Sequence, residues 1–143
     1  MTTIKEPLQI TDEQKQFAAD VLHNLAFAKL MGIRLVDLRI GEATLTIEMR
    51  DDFRQPSGVL HGGVTATLID TAMAFAIRTQ MRPDENCVTI DLTVHFLRPH
   101  LTGTIECIAK VVRAGKKIFT ISADVFGAEE KLIATAISTY TRV

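Results

Sequence analysis

The chain has 143 residues, 47% of them apolar and 23% charged, which fits one soluble globular domain spanning 1–143. A net charge of -1 and a pI near 6.4 provide no basic stripe for nucleic acid, and no uncharged apolar run reaches membrane-spanning length. The opening "MTTIKEPLQITDEQKQ" carries charges where a secretory leader needs an apolar run, so a cytoplasmic protein without nucleic-acid or membrane partners is expected.

A helix is predicted to start at Thr11 or Asp12 as N-cap, with Phe17, Val21, Leu22, Leu25 and Ala28 at helical spacing and Gly32 as its stop. It forms an N-terminal helical extension over 1–28. "IRLVDLRI" and "ATLTIEM" alternate around Gly41-Glu42 and read as a β-hairpin. The polar "RDDFRQPSG" precedes a second helix from about Gly62 to Gln80, which "MRPDEN" ends. In "CVTIDLTVHFL" the apolar residues Val88, Ile90, Leu92, Val94 and Phe96 alternate with Thr89, Asp91, Thr93 and His95, predicting a long half-buried strand. "RPHLTG", "AGKK" and "GAEEK" then read as turns between "TIECIAKVVR", "IFTISADVF" and "LIATAISTYTRV". Four strands in a row joined by turns predict an antiparallel meander. The fold class is therefore α+β, a sheet of about six strands curled around the apolar helix, whose Ala66, Ala72, Ala74 and Ala76 allow close approach.

Cys87 and Cys107 sit in apolar alternating stretches without C-x-x-C spacing and read as buried thiols. His23, His61, His95 and His100 form no helical pair, so no metal is expected.

The candidate chemistry lies in the second helix. From Gln55 to Ile77 the only charged side chain is Asp70. Desolvating a carboxylate without partners costs several kcal/mol, so Asp70 either uses an open face, bonds a neighbour such as Thr67 or Thr71, or has a function. Upstream stands "HGG". Two glycines entering a helix leave bare N–H groups at the positive end of its dipole, which suits an oxyanion, although such a pair is often only a turn. Gly62 and Asp70 are eight residues apart, about 12 Å along one helix, too far for both to reach one carbonyl group. If both act on one substrate, two helices must lie antiparallel across a two-fold dimer, each offering its N-terminus to the other's acid.

The segments "HGGVTATLID", with the acid nine positions after the histidine, "VTIDLTVHFLRP", "RAGKKIFTISADVF" and "LIATAISTYT" resemble the hotdog-fold acyl-CoA thioesterases of the phenylacetate-degradation type, from Lys29 to the C-terminus. The resemblance implies hydrolysis of a thioester between an acyl group and coenzyme A, which is part of the substrate, so no separate cofactor is expected. It implies Gly62 as oxyanion-hole amide and Asp70 of the facing subunit as general base or as nucleophile. Gln55 would orient the water or the thioester, and His61 would be a supporting hydrogen-bond partner. Some relatives carry a hydroxyl one turn after the acid, where this chain has Ala74; Thr89 is then the candidate hydroxyl. Gly63 joins the substrate-binding set. The turn with Arg113, Lys116 and Lys117 would lie near the coenzyme's phosphates, with Arg98 a weaker candidate. The resemblance also implies a homodimer, with two dimers forming a homotetramer. A non-catalytic acyl-CoA binder of the same fold is the alternative, disfavoured by the retained acid at 70; a hydratase of the same fold would need an Asp–His arrangement that His95 and His100 do not provide.

Overall fold

The computed structural model describes residues 8–143; the first seven residues of the extension expected over 1–28 lie outside them. Helix α1, Asp12–Asn24, is closed by a reciprocal cap: the Thr11 hydroxyl accepts from the Gln14 N–H, and the Gln14 side chain accepts from the Thr11 N–H. The single helix expected up to Gly32 is instead two. Leu25 is extended, and α2 covers Ala26–Met31. Asn24 explains the break, because its side-chain amide donates to the Asp20 carbonyl at 2.8 Å and competes with the helical ladder there. The buried face is correspondingly narrow. Leu22 and Ala28 are buried, whereas Phe17, Val21 and Leu25 are exposed.

Strands β1, Arg34–Arg39, and β2, Glu42–Glu48, form the expected hairpin, turning at Ile40-Gly41, one residue earlier than predicted. Gly41 has φ +73°, a conformation that favours glycine. Helix α3 spans Gly62–Arg78 and is followed by β3 (Cys87–Phe96), β4 (Thr104–Ala114), β5 (Ile118–Phe126) and β6 (Leu132–Arg142).

The sheet order is β1-β2-β4-β5-β6-β3, antiparallel throughout. This corrects the four-strand meander. Only β4, β5 and β6 follow one another, while β3 lies at the far edge beside β6. "RPHLTG" is therefore a crossover, held where the Leu60 N–H meets the His100 carbonyl and the Met49 N–H meets the Gly103 carbonyl. Residues 97–103 must pass three strand spacings, roughly 14 Å, and seven residues reach about 23 Å, so the short segment suffices.

Leu68, Ile69, Ala72, Met73, Ala76 and Ile77 of α3 are fully buried against the concave face of the sheet, each large side chain contributing about 1.5–3 kcal/mol of burial. Of the four alanines, Ala72 and Ala76 face the core. Ala66 and Ala74 are only half-buried and share the outer side with Asp70. This is the hotdog arrangement, helix inside and sheet around it. Cys107 is buried as expected, but Cys87, at the start of an edge strand, is only half-buried.

Candidate active site

The entry to α3 is built by the loop before it. The Gln55 N–H donates to the Val59 carbonyl and the Gly58 N–H returns to the Gln55 carbonyl, with Gly58 at φ +87°. This tight loop sets Gln55 beside the helix start. His61 is the N-cap, and its Nδ1 accepts from the Gly63 N–H at 2.9 Å. The Val64 N–H returns to the His61 carbonyl. That leaves the Gly62 N–H, which has no acceptor among the described residues. Gly62 itself lines a cavity of about 330 Å³, with Gln55, Leu60, Thr65, Phe96 and His100 among the other lining residues.

Both glycines sit close against side chains. A Cβ on Gly62 would lie 3.1 Å from the Phe96 ring, and one on Gly63 would lie 2.9 Å from His61 Nδ1. The Gly63 N–H, expected to serve substrate, is already committed to the cap. His61 acts here as the N-cap of α3. Arg98 lines the same cavity while its guanidinium donates to the Leu132 carbonyl at 2.9 Å.

Asp70, eight residues on, belongs to a second cluster. Its Oδ1 accepts from the Thr89 hydroxyl at 2.8 Å and from the Tyr140 hydroxyl at 2.6 Å. Thr67 and Thr71 are not its partners. They donate to the carbonyls of Gly63 and Thr67 within the helix. The carboxylate is half-buried, held by hydroxyls from two strands.

Strict alternation would keep Thr89 away from Asp70, together with Asp91, Thr93 and His95. The structure corrects this with a β-bulge. Register between β3 and β6 shifts between Thr89 and Asp91, so that Thr89 pairs with Tyr140 and Asp91 with Thr139 while Ile90 is the extra residue. Beyond the bulge, Leu92, Val94 and Phe96 pair with Ser138, Ala136 and Ala134, on the helix side. Before it, Thr89 occupies that same side and Val88 turns outward, about half exposed. The ladder groups freed by the bulge find side-chain partners: the Asp91 carboxylate accepts from the Thr139 N–H, and the Ser138 hydroxyl donates to the Asp91 carbonyl.

Tyr140 is 2% exposed, and burial together with the adjacent Asp70 carboxylate raises its phenol above the ordinary 10.0, so it remains a proton donor. Burial likewise raises the Cys87 thiol, offset in part by Arg78 and Arg142, which leaves it a poor nucleophile.

The β4–β5 turn lies at the Asp70 end of the sheet. Thr89, Tyr140, Phe119 and Ala114 form one row across four strands, so the turn begins three strand spacings, roughly 14 Å, from Thr89. Arg113, Lys116 and Lys117 are exposed there, without an ion pair among the described residues. One chain thus brings Gln55, His61 and Gly62 together, and separately Asp70 and Thr89, with about 12 Å of helix between the groups. Sequence reasoning missed Tyr140 and Phe96. The signal for the first was a lone tyrosine, the only one in the chain, two positions after Ser138 on the inward phase of the last strand. Among the described residues no group of three or more His, Cys, Asp or Glu could hold a metal ion, and no helix is long and apolar enough to cross a membrane.

A hotdog sheet around an apolar helix, with a free amide at the helix start and a braced acid further along it, has the parts of an acyl-group hydrolase. The family model described as the thioesterase superfamily matches residues 57–134, over half of the chain, and the chain belongs to that superfamily and is a hydrolase of its kind. Among its relatives, a putative esterase of Saccharolobus solfataricus is 30% identical over 112 residues, covering 78% of this chain and 79% of the relative. The acyl-coenzyme A thioesterase PaaI of Escherichia coli is 29% identical over 120 residues, covering 83% and 84%. The solved structure of the E. coli PaaI protein from the phenylacetic acid degradation operon superposes with a TM-score of 0.82 at 28% identity, covering 90% of this chain and 91% of that one.

Proposed function

We propose that the protein hydrolyses the thioester of a small or medium acyl-CoA to the free acid and coenzyme A, at two equivalent sites shared across a homodimer, two such dimers pairing into a homotetramer. The observation that carries this reading is the Gly62 N–H, without an acceptor among the described residues, at the positive end of an apolar helix in a residue that lines a cavity, on the same helix as a hydroxyl-braced carboxylate. Attack on the thioester carbonyl places negative charge on oxygen. The Gly62 N–H stabilises it, an effect of about 3 kcal/mol per donor. Asp70 of the facing subunit either takes the proton of the attacking water, whose oxygen adds to the carbonyl carbon, or adds to that carbon itself to give a mixed anhydride that water then opens. In either course the C–S bond breaks and the coenzyme leaves as thiolate, then takes up a proton. Gln55 lies within the cavity beside Gly62, suited to orienting water or thioester.

The unsatisfied surfaces support a shared site. Gly63, Thr67, Asp70 and Ala74 form a stripe of short side chains at helical spacing on the outer side of α3, which allows a second helix to approach closely. Beside it, β3 is an edge strand whose exposed Val88 and Ile90 call for cover. Arg113, Lys116 and Lys117, at the Asp70 end and without an ion pair among the described residues, suit the coenzyme's phosphates.

The test is thiol release from a panel of acyl-CoAs, in wild type and Asp70→Asn, with a co-expression arm. Turnover should fall by about a thousandfold in Asp70→Asn. Co-expressing Asp70→Asn with Gly62→Ala chains should recover about a quarter of wild-type turnover, because half of the dimers are mixed and each holds one intact site. No recovery, with mixed dimers demonstrated, would show that each subunit works alone. Tight acyl-CoA binding without turnover in either form would favour the binder.

A further inference from the structure

We propose that Tyr140 is a positioning residue for Asp70: its hydroxyl, together with that of Thr89, fixes Oδ1 and leaves Oδ2 as the oxygen that meets the reacting group. The inference rests on the reading of Asp70 as the reacting acid. Its ground is the hydrogen-bond inventory. Oδ1 accepts from both hydroxyls, at 2.6 and 2.8 Å, whereas Oδ2 has no donor among the described residues. The Tyr140 hydroxyl also lies 2.8 Å from the main-chain carbonyl of Asp70 itself. A phenol has one proton, and a carboxylate oxygen is a stronger acceptor than an amide carbonyl, so that proton belongs to Oδ1 while the second contact fixes where the hydroxyl sits relative to the Asp70 backbone.

A short carboxylate side chain on a half-exposed helix face otherwise turns freely about its last torsion, which is broad and two-fold. Two donors from different strands stop that rotation. Thr89 comes from an edge strand and depends on a bulge, but Tyr140 comes from β6, paired on both sides by β3 and β5, with its ring almost fully buried. Tyr140 is therefore the rigid member of the pair. It reaches from the sheet to the helix and ties the orientation of the acid to the core, the kind of support that a reacting group needs if its geometry is to hold within fractions of an ångström. Its phenol, raised by burial and by Asp70, remains a donor throughout the neutral and mildly alkaline range.

The test compares wild type, Tyr140→Phe, Asp70→Asn and the double variant on whichever acyl-CoA the panel selects. Tyr140→Phe keeps the ring and should lower kcat by about ten- to a hundredfold with KM within about twofold, because orientation and not binding is lost. Adding it to Asp70→Asn should change turnover less than about twofold, since its effect passes through the carboxylate. A normal kcat in Tyr140→Phe, or an undiminished loss in the Asp70→Asn background, overturns the proposal while Asp70 keeps its role. Full activity of Asp70→Asn overturns the underlying reading as well. The chain has one Tyr and no Trp, so tyrosinate absorbance reports Tyr140 alone, without relying on the folding of the phenylalanine variant. Asp70→Asn should move that alkaline titration to lower pH. An unmoved titration would show that the contact does not exist in solution.

Discussion

The two clusters on α3 are built by opposite means. At the helix start, the proposed function rests on what is missing: Gly62 and Gly63 lack side chains, the cap takes the N–H groups of Gly63 and Val64 but not that of Gly62, and a cavity is left beside it. At Asp70 the proposed function rests on what is added, since hydroxyls from β3 and β6 converge on one carboxylate oxygen. The first takes its loop and cap mostly from residues 53–64, with Phe96 and His100 closing the cavity beside them. The second joins positions 70, 89 and 140 through the sheet. A local device tolerates little substitution, because each backbone group has a fixed place, whereas a converged one has two braces and loses function in steps.

The sharpest way to break that contrast is Gly62→Ala. The new methyl would meet the Phe96 ring at 3.1 Å and displace either the ring or the amide. Turnover of the panel substrate should fall by about a hundred- to a thousandfold, as for loss of one oxyanion donor, with the melting temperature nearly unchanged. An equally active Gly62→Ala would remove the helix start from the chemistry. A smaller effect is expected from Thr89→Val, which keeps the shape and removes one of two donors to Oδ1. Its kcat should drop about tenfold, and Thr89→Ser should restore most of it. A loss as large as that of Asp70→Asn would mean that Thr89 touches substrate and is no mere brace.

The mildest effect concerns stability. Burial holds the proton of Tyr140 above its ordinary 10.0 and that of Cys107 above 9.0. Above about pH 9 the unfolded chain therefore binds fewer protons than the folded one. Stability, complete below that pH, should fall as pH rises, by up to about 1.4 kcal/mol per unit for each group. Urea midpoints measured from pH 8 to 11 should show this decline in wild type and in Gly62→Ala alike, and a shallower one in Tyr140→Phe, where only the thiols of Cys87 and Cys107 remain raised. Equal slopes in all three would mean that the phenol is not buried in solution.

Much of this molecule is written in local pattern. The apolar helix from Gly62, the glycine pair, the isolated acid at 70 and the alternation of the last three strands follow from residue type and period alone, because a helix and a strand each have one repeat and glycine has one steric privilege. So does the spacing that separates Gly62 from Asp70, which is a property of any helix. The tertiary structure decided the rest. It sent β3 to the far edge beside β6 and inserted Ile90 as a bulge that turns Thr89 from the outer side of the sheet to the helix side. Neither is visible to periodicity, because each depends on partners far along the chain: Ser138 and Thr139 satisfy the bulge, and Tyr140 finds Asp70 seventy residues away. Sequence set which groups were available. Long-range strand pairing set which of them meet.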